Sequence, residues 1–143
     1  MNRTMDLLQE ARRRELEQAH FYRALSGDAE HAGDAAVAER LNELLADEQH
    51  HVARLAARIL ELGGTPQGDG AAPGTAPLLD AWEPEARRRE EAEVAWYEAA
   101  LGGVEDPGTR VVLGGILESE RHHRETLAGK WMPAGPTTTK ESM

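Results

Sequence analysis

The chain has 143 residues, 29% of them charged, a net charge of −10 and no cysteine. One domain of this length buries a core without covalent staples, and the missing thiols exclude disulfides, thiolate metal sites and iron–sulfur clusters. The acidic balance argues against nucleic acid and anionic membranes as partners, because both need clustered Lys and Arg.

Period-3.6 spacing of apolar residues predicts four helices and no strand. The first runs from about Thr4 to Ser26, with Leu8, Ala11, Glu15, Ala19 and Tyr22 facing inward and Gly27 as its stop. The second runs from an N-cap at Asp34 to Leu62, with Leu41, Leu44, Leu45, Glu48, His51, Val52, Leu55 and Ile59 inward, and ends at Gly63-Gly64. Residues Gly63 to Pro77 are rich in Gly, Pro, Thr and Ala and read as a long loop. Extended, fifteen residues reach roughly 50 Å, enough to cross a bundle from end to end.

The third helix runs from about Pro84 to Leu101, with Ala86, Glu90, Val94, Tyr97 and Leu101 inward. The fourth runs from about Pro107 to Ala128, with Val112, Leu113, Ile116, Leu117, Glu120, His123 and Leu127 inward. Residues 133–143, with three Thr in a row, read as a flexible tail behind a bundle of residues 1–132. The expected fold is therefore all-α: a four-helix bundle of two helical hairpins joined by a long crossover loop. No apolar run spans a bilayer and the first thirty residues carry no signal-type stretch, so a cytoplasmic protein is expected.

The chain is internally duplicated. Glu10-Ala11-Arg12-Arg13-Arg14-Glu15 recurs as Glu85-Ala86-Arg87-Arg88-Arg89-Glu90, and each copy is followed by a tyrosine, Tyr22 or Tyr97. Each leads to a second shared block, Glu48-Gln49-His50-His51 or Glu120-Arg121-His122-His123. The two Arg triplets fan around their helices and read as solvated surface.

Glu15, Glu48, Glu90 and Glu120 sit in the middle of apolar stripes, where a lone carboxylate is costly. Four converging carboxylates repel one another unless cations neutralise them. Two divalent metals balance four carboxylates. His51 and His123 lie three residues after their glutamates, on the same helical face, and can each add an imidazole nitrogen. This Glu plus Glu-x-x-His set, given twice, is the ligand set of a carboxylate-bridged di-metal centre: Glu15, Glu48, His51, Glu90, Glu120 and His123. Oxygen and nitrogen ligands without sulfur suit iron, manganese or a mixed pair.

A third such motif, Glu17-Gln18-Ala19-His20, lies off the stripe, maps onto Ala92 and Ala95 in the second copy, and reads as surface. Glu93 is three residues beyond Glu90 and is either an extra carboxylate ligand or a stripe-edge surface residue. Tyr22 and Tyr97 either bond a ligand carboxylate through their hydroxyls or fill the core. Asp47 can hold the second nitrogen of His123, while the second copy has Ser119 in its place. His50 and His122 should face solvent, and His31 suggests nothing.

Glu15 with Tyr22, the two Glu-x-x-His motifs, Glu90, and the run Asp47-Glu48-Gln49-His50-His51-Val52-Ala53-Arg54-Leu55 with Arg58-Ile59-Leu60-Glu61-Leu62-Gly63-Gly64 resemble the ferritin-like superfamily over about residues 4 to 130. The bacterioferritin and rubrerythrin branches are the most similar. The resemblance implies a non-haem di-iron centre reacting with dioxygen or hydrogen peroxide, with the six residues above as ligands. It also implies that Glu48 and Glu120 are the bridging, catalytic pair. Bacterioferritins carry a haem-binding Met where this chain has Gln49, so no haem is expected. The polar tail supplies no fifth helix for a ferritin-type cage. With no cysteine, the chain lacks the rubredoxin unit of typical rubrerythrins, although Glu90-x-x-Glu93 resembles their third-helix carboxylate pair.

The expected activity is ferroxidase or peroxidase chemistry on Fe(II) with hydrogen peroxide or dioxygen, drawing on iron itself or an unknown external electron donor. The alternatives are a di-iron oxygenase of a small organic substrate and a non-catalytic metal-buffering bundle. The mean hydropathy of −0.60 leaves little apolar surface for a lipid substrate. A homodimer is the expected assembly.

Overall fold

The computed structural model describes residues 2–68 and 77–127. Four helices follow one another: α1 Arg3–His31, α2 Ala35–Glu61, α3 Trp82–Leu101 and α4 Pro107–Thr126, with a 3-10 turn at Leu79–Ala81 before α3. No strand occurs among the described residues. None of these helices is long and apolar enough to cross a membrane.

Capping accounts for most of the boundaries. Asn2, Asp34 and Asp106 each accept a hydrogen bond from the backbone N–H three residues on, at 3.1, 3.2 and 2.9 Å, and so satisfy a free donor of the first turn. Asp106 also accepts from the guanidinium of Arg58 at 2.5 Å, tying the start of α4 to the end of α2. α1 and α2 both end on a glycine in the left-handed region, Gly33 at φ 73° and Gly63 at φ 86°. Asp34 N–H then reaches back to Ala29 C=O, and Gly64 N–H to Ile59 C=O, at 2.9 Å in each case. These six-to-one bonds satisfy carbonyls that the helix leaves open.

The first helix overruns its expected stop. Gly27 lies inside α1 and is exposed, and the helix continues to His31. A mid-helix glycine costs about 1 kcal/mol relative to Ala. Against that, Ala29 is fully buried in one cluster with Ala38 and Leu41, and Ser26 Oγ donates to Asn42 Oδ1 at 2.6 Å. Packing against α2 therefore decides where α1 ends. α3 begins two residues before Pro84, at the buried Trp82. The expected end of α4 at Ala128, the middle of the long loop and the tail of residues 133–143 lie outside the described residues.

Side-chain contacts give the topology. Glu15 meets His51 and Ser26 meets Asn42, so α1 and α2 are antiparallel. Tyr22 meets Glu90 and Tyr97 meets Glu15, so α1 and α3 are antiparallel as well. Asp47 meets His123 and Arg58 meets Thr109, which makes α2 and α4 antiparallel. α2 and α3 consequently run in the same direction, and the chain must travel the length of the bundle to join them. A 27-residue helix is about 40 Å long, within reach of the connecting segment. Its first part is laid along α1: Gln9 Nε2 donates to Thr65 C=O at 2.8 Å, and Arg12 donates to Gln67 C=O at 2.9 Å and Gly68 C=O at 2.8 Å.

Two apolar clusters fill the bundle. One gathers Leu8, Leu55, Ile59, Tyr97, Leu113 and Ile116 at one end. The other gathers Phe21, Leu25, Leu41, Leu44, Trp82 and Leu127 at the opposite end. The four stripe glutamates occupy the layer between them, each 0% exposed.

The alternation along α2 sets a simple test. Ile59 is fully buried and its neighbour Leu60 is 60% exposed. Ile59→Ala should lower the unfolding free energy by about 2–5 kcal/mol, whereas Leu60→Ala should stay within about 0.5 kcal/mol of the parent. Urea titration followed by circular dichroism measures both, and equal losses would contradict the packing described.

Candidate metal centre

Each helix contributes to one buried polar layer: Glu15 from α1, Glu48 and His51 from α2, Glu90 from α3, Glu120 and His123 from α4. The three-residue spacing of each Glu and His puts both on one face, one turn apart. Ligand atoms of Glu15, Glu48, His51 and Glu120 lie within 4.8 Å of one another, as do those of Glu48, Glu90, Glu120 and His123. Glu48 and Glu120 belong to both groups. The structure thus brings together all six residues that the sequence singled out as candidate ligands.

The contacts inside the layer are close. His51 Nδ1 lies 3.0 Å from Glu15 Oε1 and 3.2 Å from Glu48 Oε1. His123 Nδ1 lies 3.0 Å from Glu120 Oε1, with Glu90 Oε2 at 3.5 Å and Glu48 Oε2 at 3.6 Å. Three carboxylate oxygens, Glu48 Oε2, Glu90 Oε1 and Glu120 Oε2, are buried and have no hydrogen-bond donor. An acceptor left bare in a dry core is costly. Three of them aimed into one cluster of oxygens and imidazole nitrogens suit a cation, so the donor set fits a metal pair.

The surroundings of the layer are also paired across the bundle. Tyr22 OH donates to Glu90 Oε2 at 2.6 Å and Tyr97 OH donates to Glu15 Oε2 at 2.7 Å. Each tyrosine serves the glutamate of the other hairpin. Asp47 Oδ2 lies 2.8 Å from His123 Nε2, where the sequence placed it. His50 and His122 are exposed.

Glu93 is no surface residue. It is 8% exposed, and its Oε1 accepts from Arg14 Nε at 3.0 Å, yet it belongs to neither group of ligand atoms. Two further features escaped the sequence reading. Arg14 and Arg89 are not simply solvated: their guanidiniums lie over the rings of Trp96 and Phe21, at 5.1 and 4.1 Å from the ring centres. Gln18, inside the motif read as surface, is 2% exposed and its Nε2 donates to Glu90 Oε2 at 3.4 Å. The duplication held the clue, because the offset that pairs Tyr22 with Tyr97 also pairs Gln18 with Glu93.

Burial and mutual contact set how firmly each group in the layer holds its protons. Burial pushes Glu48 and Glu120 well above the usual carboxylate range, and the neighbouring carboxylates push them further. Burial acts the same way on Glu15, but hydrogen bonds from Glu48 and His51 outweigh it and hold Glu15 at about 2. Glu90 is likewise lowered, by His123 against burial. Burial disfavours charge on both histidines. Hydrogen bonds to Glu15 and Glu48 nevertheless raise His51 to about 9, and Asp47, Glu48 and Glu90 raise His123 to about 12. Glu48 and Glu120 thus resist ionisation, while both imidazoles hold their protons more firmly than a free histidine. Two divalent ions with four carboxylates and two neutral imidazoles carry no net charge, so loading would displace protons from the layer.

This sets the pH response. Glu48 and Glu120 keep protons that the unfolded chain loses near pH 4.5, so the folded form binds more protons above that pH and stability falls as pH rises. The stabilisation from His51 is complete below its ordinary value of 6.5 and is lost as pH rises through about 9. Glu15 and Glu90 act oppositely, but only below about 4.5. The melting temperature of chelator-treated protein should fall between about pH 5 and pH 9, while the stabilisation added by Zn(II) should grow over the same range. Differential scanning calorimetry with and without Zn(II) measures both; a metal-free melting temperature that rises through this range would refute the charge assignment.

Comparison with known proteins agrees with this architecture. No curated protein matches the chain at a significant level. The family description "Ferritin-like domain" matches residues 5–130, nearly the whole bundle and all six residues of the buried layer. The chain belongs to the ferritin-like family, and its buried cluster of glutamates and histidines is compatible with a di-metal site.

Proposed function

We propose that the protein holds two iron ions between Glu15, Glu48, His51, Glu90, Glu120 and His123 and oxidises Fe(II) with hydrogen peroxide or dioxygen. The observation that carries this reading is the trio of buried carboxylate oxygens without a donor, Glu48 Oε2, Glu90 Oε1 and Glu120 Oε2, in a layer that also offers two imidazoles. When bound, an iron pair would supply reversible one-electron steps and open positions for a small oxidant.

The chain's own residues have definable tasks in that chemistry. Glu48 and Glu120 belong to both groups of ligand atoms, so they would be the residues to hold both ions. Tyr22 and Tyr97 each hold one oxygen of Glu90 and Glu15 and so limit how those carboxylates turn. The apolar clusters on both sides exclude water from the layer. Reducing one peroxide to two waters takes two electrons, which two Fe(II) substrates supply, and two protons. Burial, opposed by Arg14, raises the carboxyl of Glu93 to about 7, so it can take up or release a proton beside the layer near neutral pH.

An oxygenase acting on an organic substrate needs a cavity next to the metals. A concavity lined by Glu30, Asp34, Ala38, Asn42 and Ala46 opens at the α1–α2 turn, away from the buried layer.

The reading is tested by adding Fe(II) to chelator-treated protein without oxygen, then air or peroxide in separate cuvettes, and following near-ultraviolet absorbance. The expected result is oxidation faster than that of Fe(II) in buffer, falling to the buffer rate in Glu48→Ala. Tight Fe(II) binding with no accelerated oxidation would replace the enzyme reading with that of a metal store. Absence of binding would remove the metal centre altogether.

A further inference from the structure

The buried layer is built on an approximate two-fold symmetry. Tyr22 bonds Glu90 as Tyr97 bonds Glu15, and Arg89 covers Phe21 as Arg14 covers Trp96. The symmetry fails at two places, and both failures favour the same half.

The first concerns the histidines. Asp47 Oδ2 lies 2.8 Å from His123 Nε2. A carboxylate only accepts, so Nε2 carries the proton and Nδ1 is the nitrogen left to bind a metal. That Nδ1 already faces Glu120, Glu90 and Glu48. The residue equivalent to Asp47 is Ser119, and no side chain among the described residues bonds His51 Nε2. Carboxylate support of a metal-bound histidine orients the ring and raises its basicity, and its loss costs about 10–100-fold in affinity.

The second concerns the terminal glutamates. Glu90 Oε2 accepts from both Tyr22 and Gln18, which leaves Oε1 buried and bare. Glu15 has no bare oxygen: Oε2 accepts from Tyr97 and Oε1 is occupied by His51 Nδ1 at 3.0 Å. Loading either half displaces a histidine contact of this kind, since His123 Nδ1 lies 3.0 Å from Glu120 Oε1, but only Glu90 keeps a terminal oxygen free. At the position equivalent to Gln18 the other half has Glu93, which is tied to Arg14 and donates nothing to Glu15.

We propose that the centre consists of two unequal metal sites, that the one completed by Glu90 and His123 fills first, and that Asp47 and Gln18 are the positioning residues responsible. The inference rests on the di-metal reading above. It makes the Glu15–His51 half the more loosely held, and hence the half from which a metal would more readily be exchanged.

The test is an anaerobic Co(II) titration of chelator-treated protein, followed by visible absorption and by proton NMR of paramagnetically shifted, exchangeable ring N–H signals. The expected result is two steps, the first accompanied by one slowly exchanging ring N–H signal, that of His123 Nε2 held by Asp47. The Asp47 side chain is 55% exposed, so Asp47→Ala should leave the fold intact. It should remove that signal and weaken the first step about 10–100-fold. Asp47→Asn keeps an acceptor and should recover part of the loss, and Ser119→Ala should change neither step. Indistinguishable steps in the parent protein, or an Asp47→Ala variant weakened only in its second step, would overturn the order of filling and leave the metal centre standing. Failure of the parent protein to take up any Co(II) would overturn the centre and the inference together.

Discussion

Four carboxylates confined to one dry layer are the constraint to which the rest of the molecule answers. Such groups cannot all be ionised together without compensating positive charge. Protons held by Glu48, Glu120 and the two imidazoles supply that compensation, and two divalent ions would supply it equally.

The bundle makes that layer affordable by separating it from the apolar packing. Leu8, Leu55, Ile59 and Leu113 lie at one end of the layer, and Phe21, Leu41, Leu44 and Leu127 at the other. Each helix crosses the layer once, so each contributes one turn of polar side chains and keeps the remaining turns for the core. The parallel run of α2 and α3 follows from the contacts that assemble the site. It forces the long connection, whose first residues Gln9 and Arg12 fasten along α1. Outside the layer, Arg14 and Arg89 lie across Trp96 and Phe21, placing cationic planes on aromatic faces where polar residues meet packed ones.

Duplication supplies the symmetric frame, and divergence within it supplies the chemistry of the individual positions. Tyr22 and Tyr97, or Arg14 and Arg89, retain equivalent work in both halves. Gln18 against Glu93 and Asp47 against Ser119 do not. A neutral amide donates to a carboxylate, while a second carboxylate needs a cation of its own, which Arg14 provides to Glu93. Gln and Glu have nearly the same volume, so that exchange alters hydrogen bonding with little change in packing.

The helices and the six inward residues were legible in the chain because both follow from local periodicity. Leu41, Leu44, Glu48, His51, Leu55 and Ile59 share one face of a helix whatever surrounds it, and a doubled Glu-x-x-His pattern marks its own partners. What lay beyond reach involved contacts between distant residues. Gly27 had the local credentials of a stop, but Ala29 packing on α2 carries α1 past it. The motif at Glu17 to His20 was set aside as surface, yet Gln18 within it turns inward to Glu90. The Arg triplets looked alike in sequence, and only the neighbouring helices separate Arg14 and Arg89 from Arg13 and Arg88. Spacing along one helix determined which side chains share a face; which oxygen remained bare, which nitrogen was held and which arginine met a ring were decided by tertiary packing, because hydrogen bonds and ring contacts between helices depend on their relative depth and rotation, which no single helix specifies.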